Sequence, residues 1–270
     1  MLAFVIPFKS KARSKDWSFD GALLKRTILS VLHQTNANFK CYVVYSDLPE
    51  HRVQHDKVVW IQFPFPFLES HEIEDEERCA VRYGLGKFLP NFYDQGKKIM
   101  YGCAEAKKDQ CAYIMSLDAD DLVSNQLVEY VDQHSPSGGC GWYVDKGYMY
   151  AEKASYVLKV PKDMNYLCAS VNIIRSDLVP QPDINKKTYQ DFQFFSSHAY
   201  MPDGIKDNYN ETLQKIPFYS TTYVLHNGNF FTDSSHITKL SLRNLAKRII
   251  RGKLLTKKLR QEFGIYNLEK

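Results

Sequence analysis

The chain has 270 residues, of which 44% are hydrophobic and 24% charged, and its net charge is +4. That is the balance of a soluble globular protein with a sizeable core. Six cysteines are too sparse for a disulfide scaffold, and so mild a charge gives no reason to expect nucleic acid as a partner.

Leu2 to Phe8, "LAFVIPF", is a continuous apolar run that predicts a buried strand. The run is too short for a secretory h-region or a membrane span. "DGALLKRTILSVLHQT" places Leu24, Ile28, Val31 and Leu32 at helical spacing, with Ser18 or Asp20 as the expected N-cap. "FKCYVVYSD" and "KVVWIQF" predict two more buried strands. Six acids between Glu69 and Glu77 read as a solvated loop or helix start. A helix is predicted to end near Lys108, followed by a fourth strand, "CAYIMSL". Apolar strands joined by helices predict an α/β fold with a mostly parallel sheet.

Beyond residue 130 the pattern loosens. "GGCGWYVDKGYMY" predicts a turn and a strand, "LCASVNIIRSDLV" another strand, "YQDFQFFSSHAY" a short helix and "FYSTTYVLHNGNFFT" a last strand. Lys239 to Arg260 carries nine Lys/Arg and no acid, with leucines and an isoleucine on a rough helical stripe. The division expected is one domain over 1–238, with halves 1–130 and 131–238, and a basic amphipathic helical tail over 239–270. The six cysteines form no CxxC pair and predict reduced thiols in a cytoplasmic protein.

Asp118, Asp120 and Asp121 follow the fourth strand in "YIMSLDADDLVSNQ". In open α/β sheets ligands bind beyond the carboxyl ends of strands. Close carboxylates raise each other's pKa, and a hard divalent cation relieves the repulsion. Mg²⁺ or Mn²⁺ held there would bridge the protein to a diphosphate. The plainer reading is that Asp120 or Asp121 caps the next helix.

"TILSVLHQTNANFKCYVVYSD" and "YIMSLDADD", in this order, resemble the opening of family-2-type GT-A glycosyltransferases over roughly residues 2 to 130. The resemblance implies a GT-A (Rossmann-like) fold, with the second half forming a less regular acceptor-binding part. It implies transfer of a sugar from a nucleotide-diphosphate donor, a UDP-sugar, to a glycan or glycolipid acceptor, with inversion. Carried over, it puts Pro7 and Phe8 beside the nucleotide, Asp47 on the base, Asp118 on the ribose or sugar, and Asp120 on the metal. Asp94 and Lys98 would lie near the nucleotide-sugar. The chain departs from the family pattern after Asp47, where Leu48, Pro49 and Glu50 stand in place of the usual Asp-Gly-Ser-Thr-Asp run.

An inverting transfer needs a general base. The family's Glu-Asp pair corresponds to Gln190 and Asp191, with Asp177, Asp183 and Asp203 as rivals. His226, past the last strand, is the expected third metal ligand, and Trp142 in its glycine-marked loop is expected to stack on an acceptor sugar. The basic tail suggests peripheral contact with an anionic membrane at the inner face, as in cell-surface polysaccharide biosynthesis. Two other classes compete. A sugar-1-phosphate nucleotidyltransferase should carry a Gly-rich basic loop after its first strand, and "FKSKARSK" has no Gly. A non-catalytic polyanion- or membrane-binding module would not need Asp-x-Asp at a strand end.

Overall fold

The computed structural model describes residues 1–135, 139–226 and 249–268. β1 (Leu2–Phe8), β2 (Phe39–Tyr45), β3 (Val58–Gln62) and β4 (Tyr113–Ser116) form the first half of a seven-stranded sheet. α1 (Trp17–Leu32) and α3 (Leu89–Lys108) lie in the crossovers, and α2 (Glu76–Tyr83) precedes α3. The second half of the chain supplies β6 (Gly141–Val144), β9 (Asn172–Arg175) and β10 (Gln214–Ile216), giving the order β10-β6-β9-β4-β1-β2-β3. β1 is parallel to β2 and β4, β2 to β3, and β6 to β10, while β9 runs antiparallel to both β4 and β6. So β9 alone is reversed.

A β-strand shows its side chains to alternate faces, and β1 divides its residues that way. Leu2, Phe4, Ile6 and Phe8 pack with Leu24, Ile28 and Val31 of α1. Ala3 and Val5 pack with Ile99, Met100 and Cys103 of α3. Both faces are covered, which is why the strand reads as unbroken apolar sequence. α1 starts one turn earlier than expected. Asp16 is its N-cap, with a side chain that accepts from Phe19 N. Asp20 instead lies within the helix, buried, and is held by Lys9 Nζ and Ser14 Oγ.

A five-stranded sheet stands beside the first. It contains β5 (Leu122–Val123), β7 (Gly147–Ala151), β8 (Tyr156–Val160), β11 (Thr221–Leu225) and β12 (Gly252–Leu254), in the order β12-β8-β7-β11-β5. The "GGCGWYVDKGYMY" stretch is thus two strands in two sheets, β6 and β7. Neither capping expectation for the aspartates holds. The helix after them, α4 (Leu127–His134), has Gln126 at its N-cap, with β5 in between.

α5 (Tyr189–Phe192) falls where a short helix was expected, and α6 (Met201–Tyr209) follows it. The expected basic tail is only partly visible, since 227–248 and 269–270 lie outside the described residues. Its described part is not one helix: β12 pairs with β8, and α7 (Lys257–Phe263) buries Leu259 and Phe263 against Leu23, Tyr148 and Tyr150. Each such buried apolar side chain contributes about 1.5–3 kcal/mol. All six cysteines are buried and free.

Candidate active site

The strand order 3-2-1-4 reverses direction of progression between β1 and β4, the switch point where α/β sheets open a crevice. A cavity of about 250 Å³ lies there. Pro7 and Phe8 from the end of β1 line it, with Asp94 and Lys98 from α3, Asp118 and Asp120 from the loop after β4, and His226 just past β11. Seven of the ten side chains singled out from sequence therefore meet at one site.

Helical spacing joins α3 to β1. Asp94 and Lys98 are i,i+4 neighbours, so they share a face of the helix. Lys98 Nζ donates to Asp94 Oδ2 at 2.7 Å and to the Phe8 carbonyl at 3.0 Å, and is almost fully buried. Burial pushes the Asp94 carboxyl above its ordinary value, while Lys98 pulls it back. This pair clamps the end of β1 against α3 and fixes one wall of the cavity.

The aspartates divide by role. Asp118 Oδ1 accepts from Gln95 Nε2 at 2.8 Å, and the Asp118 amide donates to Ser170 Oγ at 2.8 Å. Asp120 Oδ2 accepts from His226 Nε2 at 2.8 Å. Asp121 turns away from the cavity. Its carboxylate accepts from Ser170 Oγ at 2.7 Å, Cys168 Sγ at 3.1 Å and the Val224 amide at 3.1 Å. It ties the loop after β4 to β11, the strand that delivers His226. Enclosure, and then the neighbouring Asp120 charge, push the Asp118 carboxyl up to about 7. Burial likewise raises Asp121 well above its ordinary value.

The donor set fits a hard divalent cation. Carboxylate oxygens of the three aspartates come within 4.8 Å of one another. Asp121 has both oxygens engaged by protein donors, so Asp118 and Asp120 are the groups with oxygens to offer. Asp118 Oδ2 and Asp120 Oδ1 have no hydrogen-bond partner among the described residues. A cation at Asp120 would take the place of the hydrogen that His226 Nε2 now donates. Carboxylate oxygens suit Mn²⁺ or Mg²⁺, and of the two Mn²⁺ accepts an imidazole more readily.

Three expected site residues lie elsewhere. Trp142 is 1% exposed in the core, against Tyr113 and Tyr130, where no sugar reaches it. Asp191 does not line the cavity. It accepts from Lys186 Nζ at 3.0 Å and from Thr188 Oγ1. Asp47 follows β2 outside the cavity lining and accepts from the Lys11 amide at 2.7 Å, bracing the turn that carries Arg13 to the cavity. Sequence reasoning missed Gln95, Ser170 and His198. Gln95 sits beside Asp94 in "DQGKK", so its position was available to find. Ser170 was hidden within the strand-like run "LCASVNII".

No protein-family model and no curated protein matches the chain. Among solved structures, S. aureus TarS 1-349 is similar at 10% identity and a TM-score of 0.45, over 83% of this chain and 60% of that one. The same protein in complex with UDP-GlcNAc is similar at 11% identity and 0.44, over 92% and 64%. A Desulfovibrio desulfuricans G20 protein described as a nucleotide-diphospho-sugar transferase is similar at 11% identity and 0.37, over 92% and 94%. The chain spans less than two thirds of the length of the TarS structures. The chain's own strand order, with its reversed β9 and its aspartates at the switch point, is that of a mixed α/β, Rossmann-like fold.

Proposed function

We propose that the chain is a metal-dependent glycosyltransferase that moves a sugar from a nucleotide-diphosphate donor, a UDP-sugar, to a glycan or glycolipid acceptor, with inversion. The observation that carries this reading is the meeting of Asp118, Asp120 and His226 with the end of β1 in one cavity at the switch point. Asp120 and His226 would hold Mn²⁺ or Mg²⁺, with Asp118 alongside or turned to the ribose. When bound, the cation neutralises charge on the departing diphosphate. Pro7 and Phe8 form the floor under the nucleotide, and the Lys98–Asp94 pair keeps that floor in place. Asp47 supports the base-side turn.

The proposed setting is the cytoplasmic face of a membrane, with peripheral contact. No helix among the described residues is long and apolar enough to cross a membrane. Ile249, Ile250 and Leu254 are 76%, 79% and 74% exposed, amid Arg251, Lys253, Lys257 and Lys258. Apolar side chains flanked by cations suit an anionic lipid surface.

The test is release of UDP from a panel of UDP-sugars with and without Mn²⁺. Metal-dependent release is expected from the native chain, with a loss of at least about 100-fold in Asp120→Asn at unchanged circular dichroism. Equal release by the native chain and Asp120→Asn would overturn the reading.

A further inference from the structure

Asp191 is tied to Lys186 and Thr188, and neither it nor its rivals Asp177, Asp183 and Asp203 line the cavity, so the proposed transfer lacks its expected base. We infer that His198 takes the proton from the acceptor hydroxyl. This rests on the glycosyl-transfer reading above. His198 lines the same cavity as Asp118 and Asp120. Its Nδ1 lies 3.3 Å from the Ser196 carbonyl oxygen, which can only accept, so Nδ1 carries the hydrogen. Nε2 is then left with a lone pair, and it has no hydrogen-bond partner among the described residues. It is also not one of the enclosed, unpartnered polar atoms of the interior.

The turn that carries the imidazole is fixed from behind. Asn172 Nδ2 donates to the His198 carbonyl at 3.0 Å, and Asn165 Nδ2 to the Ala199 carbonyl at 3.1 Å. Both asparagines are buried, and Asn172 belongs to β9. A base on the cavity wall, held by one ring nitrogen and with a lone pair on the other, is the arrangement that proton abstraction needs. Burial holds the His198 pKa below the ordinary histidine value, which keeps the ring neutral near pH 7.

Other cavity groups are committed. Asp94 is paired with Lys98, and Asp20 with Lys9 and Ser14. Asp118 and Asp120 are the proposed donor and cation ligands. In the step, the acceptor oxygen forms a bond to the sugar's anomeric carbon as the bond to the β-phosphate oxygen breaks. The electron pair leaves with UDP, and the hydroxyl proton passes to His198 Nε2. The imidazolium then returns it to solvent.

The experiment follows UDP release from the same panel of UDP-sugars with Mn²⁺, water standing in for the acceptor hydroxyl. It compares the native chain with His198→Asn, His198→Ala, Asp191→Asn and Asp120→Asn, and measures Mn²⁺–UDP binding by calorimetry. Asparagine keeps a donor toward Ser196 and loses Nε2. The inference predicts at least a 100-fold loss of release in His198→Asn, with UDP affinity within twofold of native, and near-native release by Asp191→Asn. Added imidazole should restore part of the rate in His198→Ala, which a merely structural histidine would not permit. Native-like release by His198→Asn alongside an inactive Asp120→Asn overturns the base while the transfer reading stands. Absence of metal-dependent release from the native chain removes both.

Discussion

Asp118 shows how one residue reports on the whole site. Its carboxyl is pushed up to about 7 by enclosure and by Asp120. Between about pH 4 and pH 7 the folded protein therefore holds a proton that the unfolded chain has shed, so stability falls as pH rises through that window. Asp118→Asn should flatten the fall, raising the Tm of the metal-free protein at pH 7.5 by at least about 2 °C. A Tm series from pH 5 to 8 measures this, and an unchanged slope in the variant would count against the crowded-carboxylate picture. Ser170 is the second telling residue, because it accepts from the Asp118 amide and donates to Asp121. Ser170→Ala leaves both groups without that partner and should cost about 1–3 kcal/mol. It should also weaken Mn²⁺ binding about 10-fold, since outer partners orient ligands. The aspartates were legible in sequence as a crowded triplet at a strand end, with separate roles expected for Asp118 and Asp120. The tie that Asp121 makes was not legible, because its partners come from residues 168, 170 and 224.

At the scale of elements, α3 does most of the positioning. It carries Asp94, Gln95 and Lys98 to the cavity, and it reaches that position because glycines let it approach its neighbours. A Cβ at Gly96 would lie 2.5 Å from the Phe192 carbonyl oxygen on α5, and one at Gly102 would lie 2.5 Å from Val5 Cγ1 on β1. Gly96→Ala should cost about 1–3 kcal/mol by overpacking, lowering Tm by at least about 3 °C in thermal melts. It should weaken UDP binding as well, because Gln95 and Lys98 shift with the helix. A variant as stable as the native chain would show that α5 yields without strain. The first four strands and their helices were readable because each buries two faces and so carries unbroken apolar sequence. Of the second sheet, β11 was foreseen as a last strand, but β5 and β12 were not, since they have only two and three residues and draw their partners from distant parts of the chain. Trp142 was misread for a related reason: Gly141 marks not an open loop but a strand entry, where it adopts φ +140° against β9.

The whole molecule joins a switch-point cavity to an exposed apolar and basic edge at 249–258. If that edge meets lipid, the protein should sediment with phosphatidylglycerol-containing vesicles but not with neutral ones. Ile249→Ser with Ile250→Ser should reduce the bound fraction severalfold without changing UDP affinity. Retained binding by the double variant would exclude these side chains as the anchor. The central claim is that the aspartate loop holds a cation which in turn holds a nucleotide diphosphate. Calorimetric titration of UDP into the native chain and into Asp120→Asn, each with and without Mn²⁺, tests it most directly. The account predicts binding by the native chain that is at least 10-fold tighter with Mn²⁺, about 1.4 kcal/mol, and no metal effect in the variant. UDP binding that ignores Mn²⁺, or a metal effect that survives in Asp120→Asn, would contradict it.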